Sequence, residues 1–320
     1  MKKLSELLQY ENICIQCHDN PDADTIASAY GLYCFFTSRN IAAKIIYSGI
    51  VRIKKYAVSH MIEECRIPIE HVDTTPDCDL LILTDCQYES GNVTVNCPNV
   101  RPVIAQIDHH LPVCNSVENS YIDDSYQSCS TIIWELLRLE GVVSAHFPML
   151  DTALAYGLCT DTSMYADLKN PADMNMKAQL RADSNLLMEL EKSNIKAVEL
   201  MLIGDALNNC DFDIQSGIIF LPVFNGEPYL LAIIADLALQ VEQVKLCIAY
   251  TKKNDLYPIC VRSCVDIINA AEIVQTICRD MGTGGGHRLK AAGRIDMKKM
   301  DNLYPGKDIS AVIKERINFY

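Results

Sequence analysis

Short apolar runs alternate with longer stretches of helical spacing over the first half of the chain. Asn12-Ile13-Cys14-Ile15-Gln16-Cys17 reads as a strand, and residues 23–37, rich in Ala, Tyr, Leu and Phe, as a helix. Residues 42–47 predict a second strand and residues 52–65 a second helix. Asp79-Leu80-Leu81-Ile82-Leu83-Thr84 and Val103-Ile104-Ala105-Gln106-Ile107 are near-continuous apolar runs, the pattern of strands buried on both faces. Helices follow at residues 130–140 and 149–159. This alternation predicts an α/β fold over residues 1–189, a doubly wound parallel sheet with helices on both faces.

After Asp173 the spacing becomes helical as far as about residue 209, and residues 190–215 are expected to form a helical connector. Short strands return at residues 218–224, 229–234, 246–251 and 258–262. The first two flank Asn225-Gly226-Glu227-Pro228, which reads as a hairpin turn. Residues 267–281 read as a helix, so residues 216–320 are expected to be a smaller mixed α/β domain. The chain carries no internal repeat and no low-complexity tract.

Composition narrows the function classes. Hydrophobic residues make up 49% of the chain and charged residues 22%, a globular balance. No apolar run has the length a bilayer requires. The start, Met1-Lys2-Lys3-Leu4-Ser5-Glu6, lacks the apolar stretch of a signal peptide, so a cytoplasmic location is expected. There the 15 cysteines would be reduced thiols, most of them small buried hydrophobes. The formal net charge of −13 disfavours long duplex nucleic acid, which binds through many neutralised phosphates, and leaves small nucleotides or short oligonucleotides as partners. A homodimer is compatible with these features.

The candidate chemistry lies just beyond the apolar runs. The first strand leads into His18-Asp19-Asn20-Pro21-Asp22-Ala23-Asp24, the run at 80–84 into Asp85, and the run at 103–107 into Asp108-His109-His110. The helix passing Gly157 delivers Asp161. Open parallel sheets bind ligands outside the carboxyl ends of their strands, so these segments converge on one edge. Carboxylate and imidazole donors suit manganese, magnesium, iron or zinc, and a carboxylate can bridge two ions. Two such ions about 3.5–4 Å apart support in-line phosphoryl displacement. The lack of thiolate donors favours manganese or magnesium over structural zinc.

These segments resemble the motifs of the DHH-family phosphoesterases. His18 to Asp24 with Ser28 is similar to the first motif, Asp85 to the second, Asp108-His109-His110 to the third and Thr160-Asp161-Thr162 to the fourth. Gly284-Gly285-Gly286-His287, followed by Ala291-Ala292-Gly293, resembles the glycine signature of the family's associated substrate domain. The resemblance implies that His18, Asp22 and Asp85 hold one ion. Asp24, Asp85, His109 and Asp161 would hold the other, with Asp85 bridging. It further implies that Asp108 orients the site and His110 faces the phosphate. Ser28, Arg262, Ser263 and the Gly284–His287 run would contact substrate, the glycines by letting backbone amides approach a phosphate in a loop. The fourth motif departs from the pattern common in nucleotide-cleaving members, where Gly, an aromatic residue and Arg follow the aspartate. Here the residues are Thr162-Ser163-Met164-Tyr165-Ala166-Asp167-Leu168, and the expected cation is missing.

Among family branches, the chain resembles the oligoribonuclease and adenosine 3′,5′-bisphosphate phosphatase group. The expected activity is manganese-dependent hydrolysis of small nucleotide phosphate esters. The alternatives are a soluble phosphodiesterase for cyclic di-AMP or its linear product, and a nucleotide-binding regulator without turnover. Cys14-Ile15-Gln16-Cys17-His18 also matches a haem-attachment pattern, but such attachment follows export and would consume His18.

Overall fold

The structure is a computed structural model that describes residues 2–49, 52–113, 117–147, 149–192 and 195–317. The chain divides into two compact units, Met1–Asn194 and Ile195–Tyr320. The expected connector at 190–215 straddles this division, and its residues 193 and 194 lie outside the described residues.

In the first unit, strand β1 (Asn12–Cys17) leads into helix α1 (Ala23–Thr37), then β2 (Ala42–Tyr47), α2 (Tyr56–Glu64) and β3 (Ile69–His71). The chain then returns through β4 (Leu80–Thr84), β5 (Val103–Asp108) and β6 (Asn119–Ile122) before α3 (Cys129–Leu139), α4 (Leu150–Asp161), α5 (Pro171–Gln179) and α6 (Ser184–Lys192). The sheet order is β3-β2-β1-β4-β5-β6 with every pairing parallel. The direction of winding reverses between β1 and β4, and such a switch point opens a crevice at the strand ends. His18 and Asp85 follow directly on these two strands.

Successive residues of a strand face opposite sides of the sheet, and the core obeys that period. Ile13, Ile15, Leu80, Ile82, Ala105 and Ile107 join the main core with α1, α3 and α4. Cys14, Ile46, Leu81 and Leu83 form a smaller cluster on the other side with Val72, Val93, Val95 and Cys97. That face is therefore packed by the coil segment around residues 86–97 rather than by a helix as expected. Its valines and cysteines alternate with polar residues, too few in a row to propagate a helix. Every described cysteine is a free thiol, and Cys114 lies outside the described residues.

α1 is buried along nearly its whole length, with α3 and α4 packed on it. Such close approach needs small residues. A Cβ on Gly157 of α4 would meet Ser130 Oγ at 2.3 Å, Asp24 Oδ1 at 3.0 Å and Asp24 Cα at 3.1 Å.

The second unit begins with α7 (Ala197–Asn208), β7 (Asp211–Asp213), β8 (Ile218–Val223) and α8 (Leu230–Ala238). It continues through β9 (Leu246–Thr251), β10 (Leu256–Ser263), α9 (Ala270–Cys278), β11 (Gly282–Gly286), β12 (Lys290–Asp296), α10 (Met297–Leu303) and α11 (Ile309–Ile317). Its sheet runs β11-β12-β10-β9-β8-β7 and is mixed: β8 and β9 are parallel, and the other pairings among the described residues are antiparallel. α7 and α8 pack on one face, and α9, α10 and α11 on the other.

Two sequence expectations are corrected here. Residues 229–234 are not the second arm of a hairpin but enter α8, which crosses over to bring β9 parallel to β8. The buried positions Leu230, Leu231, Ile234, Ala235 and Ala238 have helical spacing, which the unbroken apolar run had concealed. The glycine run is likewise not a loop but β11, an edge strand. A Cβ on Gly284 would meet Val274 O at 3.1 Å, and one on Gly293 would meet Val274 Cγ2 at 2.8 Å. These glycines let α9 lie directly on the sheet.

The same substitution should have opposite signs at two glycines. Gly157→Ala should destabilise the first unit by about 1–3 kcal/mol, because α4 must move away from α1. Gly204→Ala should stabilise the second by about 0.5–1 kcal/mol, since nothing lies within 4 Å of its Cβ position and Ala favours the helix. Denaturant midpoints of the two variants decide the matter, and equal shifts would refute this account of α1–α4 packing.

Candidate metal centre

The first motif places its carboxylates by capping helices. Asp22 is the N-cap of α1, and its Oδ1 accepts from the Asp24 and Thr25 amides at 3.0 and 3.2 Å. Asp24, fully buried on the first turn of α1, accepts from the Cys129 and Ser130 amides at 2.7 and 2.8 Å. Those amides open α3, so two helix N-termini direct their positive ends toward these acids. Asp85 follows β4 with φ of 57°, a left-handed conformation unusual for a residue with a side chain. Its amide still donates to Ile107 O at 2.9 Å, so the neighbouring strand holds the conformation. Strain of this kind concentrates at functional sites.

Asp85 is where the remaining groups meet. His18 Nε2 lies 3.6 Å from Asp85 Oδ2 and 3.7 Å from Asp22 Oδ2. His109 Nε2 lies 3.2 Å from Asp85 Oδ1, 3.4 Å from Asp161 Oδ2 and 3.9 Å from Asp24 Oδ2. His18, Asp22 and Asp85 offer donor atoms all within 4.8 Å of one another, as do Asp24, Asp85 and His109. Asp85 belongs to both groups, which is the disposition required of a bridging carboxylate.

Burial and close approach shift the acids and imidazoles of this cluster strongly. Burial and the nearby Asp161 and Asp85 carboxylates push the Asp24 acid well above its ordinary range. Burial also raises Asp161, helped by Asp22 and only partly countered by the His109 imidazole beside it. Asp85 is desolvated too, but the His109 and His18 imidazoles beside it hold it well below the usual carboxylate range. Burial would lower the His18 imidazole, yet Asp22 and Asp85 outweigh it and raise the group to about 10. The same partners in kind, Asp161 and Asp85, raise His109 against its burial. Buried acids therefore draw protons toward every available base. Asp85 Oδ1 is buried and accepts no well-directed hydrogen bond. The donor set fits hard or borderline divalent cations, which would satisfy that oxygen and relieve the crowding.

Asp161 ends α4, where a negative charge opposes the helix dipole, so its position serves something other than helix stability. Ser163, Met164 and Tyr165 then all take positive φ, at 52°, 56° and 65°. This left-handed turn costs on the order of 1–2 kcal/mol per residue. It is held by Met164 N donating to Cys159 O (2.8 Å) and Tyr165 Oη donating to Ala155 O (2.9 Å). Gln127 anchors the same segment, its Nε2 donating to Asp167 O at 2.6 Å. Residues 162–168 after Asp161 contain no cation, but Lys177 of α5 stands 3.9 Å over the Tyr165 ring.

Asp108 ends β5, and its Oδ1 accepts from His109 N, His110 N and His110 Nδ1 at 2.8, 3.2 and 2.7 Å. Gln87, absent from the sequence expectations, donates to its Oδ2 at 2.7 Å. A polar residue two positions beyond Asp85 was the available signal. Ser28 is fully buried on α1, within the core rather than at the surface.

In the second unit, Arg262 Nε donates to Asp236 Oδ1 of α8 at 3.0 Å, and Arg262 pairs across strands with Lys290. Ser263 is buried at the end of β10, its Oγ donating to Val265 O at 3.0 Å. Gly284, Gly285 and Gly286 pair with Gly293, Ala292 and Ala291, and His287 N donates to Lys290 O at 2.7 Å. Nothing lies within 4 Å of a Cβ built on Gly285, so that side of the strand is open.

Residues 12–160 match the DHH family, N-terminal domain. An uncharacterised protein of Methanocaldococcus jannaschii is 24% identical over 312 residues, 95% of this chain, and the chain spans 62% of that relative's length. An exopolyphosphatase-related protein from Bacteroides fragilis shares the fold with a TM-score of 0.76 and 15% identity, over 99% of this chain and 94% of that one. RecJ from Thermus thermophilus, in complex with Mn2+, does so with a TM-score of 0.58 and 14% identity, over 99% of this chain and 54% of that one. The matched residues contain His18, Asp22, Asp24, Asp85 and the Asp108-His109-His110 run for which the family is named. Over residues 12–160, which carry these motifs, the chain thus matches the N-terminal domain of the DHH family.

Proposed function

We propose that this protein is a metal-dependent phosphoesterase that hydrolyses phosphate esters of small nucleotides, with manganese as the working ion. The observation that carries the reading is the place of Asp85 in both donor groups, with one of its buried oxygens unsatisfied. His18, Asp22 and Asp85 would hold one ion, and Asp24, Asp85, His109 and Asp161 the other. Ions bound there neutralise phosphate charge and lower the pKa of a bound water. Asp108 orients His110 through Nδ1, and the half-exposed His110 ring contacts the phosphate. Arg262, Ser263 and the open side of β11 are proposed to bind the nucleotide portion. An acidic chain with few local cations favours short substrates, such as oligoribonucleotides or adenosine 3′,5′-bisphosphate. Manganese is supported by the oxygen and imidazole donors and by the Mn2+ complex of RecJ.

A product-resolved assay at saturating manganese tests the reading. Its panel is a short oligoribonucleotide, adenosine 3′,5′-bisphosphate, cyclic di-AMP with its linear product, and inorganic polyphosphate. Turnover of none of these by metal-loaded protein would leave the nucleotide-binding regulator as the surviving reading.

Metal binding should also register in stability. At a manganese concentration about 100 times its Kd, linkage adds about 2.7 kcal/mol, or about 5–10 °C in Tm for the first unit. Asp85→Ala should abolish both this rise and turnover. A full rise in the variant would exclude the bridging role.

Arg262→Ala should remove a charge-assisted hydrogen bond worth about 1.5–3 kcal/mol, raising KM by about ten- to a hundredfold while leaving metal-induced stabilisation unchanged. A simple aryl phosphodiester, lacking the nucleotide, should be indifferent to the change. Equal losses on both substrates would count against the assignment.

A further inference from the structure

Gln87 lies two residues beyond Asp85 with its side chain 1% exposed, and every polar atom of its amide is engaged. Nε2 donates to Asp108 Oδ2 at 2.7 Å and to Leu111 O at 3.1 Å, while Oε1 accepts from Val113 N at 2.8 Å. The partners fix which end of the amide is which, because a carboxylate and a carbonyl require donors and an N–H requires an acceptor. Leu111 and Val113 are each 62% exposed, so apolar packing does little to hold the backbone after His110. The His110 ring is meanwhile held by Asp108 Oδ1.

Both supports of His110 therefore converge on one side chain. Asp108 contributes to a third donor group with Asp85 and His110, yet its Oδ1 already accepts from three donors and its Oδ2 from Gln87. A carboxylate saturated in this way differs from Asp85, whose Oδ1 is unsatisfied. Gln87 thus keeps Asp108 as the holder of an imidazole rather than as a competing ligand.

We propose that Gln87 is a positioning residue that fixes His110 for phosphate contact, bonding Asp108 on one side and the Leu111–Val113 backbone on the other. The proposal rests on the function proposed above, and its test separates the two. Gln87→Met keeps the side-chain length and removes all three bonds. The variant should bind manganese with wild-type stoichiometry and keep KM within about threefold. Its kcat should fall about ten- to a hundredfold, the cost of a misplaced contact group. In a His110→Ala background the same substitution should cause no further loss, since both changes remove one contribution. An undiminished loss in that background, or unchanged kcat in the single variant, would overturn the proposal.

Amide exchange supplies a readout independent of turnover. Val113 N–H should exchange faster in Gln87→Met than in wild type, and equal rates would overturn the latch. If wild-type protein hydrolyses no phosphate ester, the functional reading fails while this measurement still decides the latch. Should Gln87→Met not fold, Gln87→Glu retains the acceptor for Val113 but presents a carboxylate to Asp108. It should keep slow Val113 exchange yet lose kcat, and wild-type kcat in that variant would overturn the proposal.

Discussion

Crowding of buried carboxylates around Asp85 is the constraint on which the rest of the first unit depends. Burying ionised acids side by side is costly unless cations, donors or protons compensate each one. Asp85 has an imidazole close by on each side, whereas Asp24 accepts from two backbone amides, has His109 only at 3.9 Å and has two acids as neighbours. The two acids consequently shift in opposite directions despite similar burial. Such a cluster is poor design for stability alone. It becomes reasonable where divalent cations complete it.

The architecture delivers these groups with little freedom. The winding reverses between β1 and β4, opening the crevice into which His18 and Asp85 project from adjacent strands. The next strand, β5, brings Asp108, His109 and His110, and the glycine at 157 allows α4 close enough to α1 to present Asp161 beside them. Part of the expense lies in backbone strain, at Asp85 and again at Ser163 to Tyr165. Hydrogen bonds from Gln127 and Tyr165 restrain the second of these segments. Supporting residues are thus as much a condition of this arrangement as the acids and imidazoles themselves.

The second unit uses glycine differently. Its glycine-rich segment is a sheet edge on which α9 rests, so the absent side chains serve packing on one face and openness on the other. One sequence feature meets two demands because strand residues alternate between faces.

The candidate donor motifs were legible in the sequence because most are short polar runs directly after an apolar strand. The parallel sheet was legible because strands buried on both faces lose their polar positions. By itself, the sequence thus determined the α/β class and the elements that carry the candidate acid and imidazole donors. It did not determine that residues 230–238 form a helix, since a fully apolar run satisfies helical and strand periods alike. Nor did it identify Gln87 or Gln127. Glutamine has no periodic signature, and its meaning depends on which carboxylate or carbonyl stands across from it. Tertiary structure alone decided that Asp85 stands within reach of both histidines, that Arg262 is engaged by Asp236, and that the glycine run is a strand. Local sequence sets backbone preference and donor type, whereas distances between residues remote in the chain arise only when the elements pack.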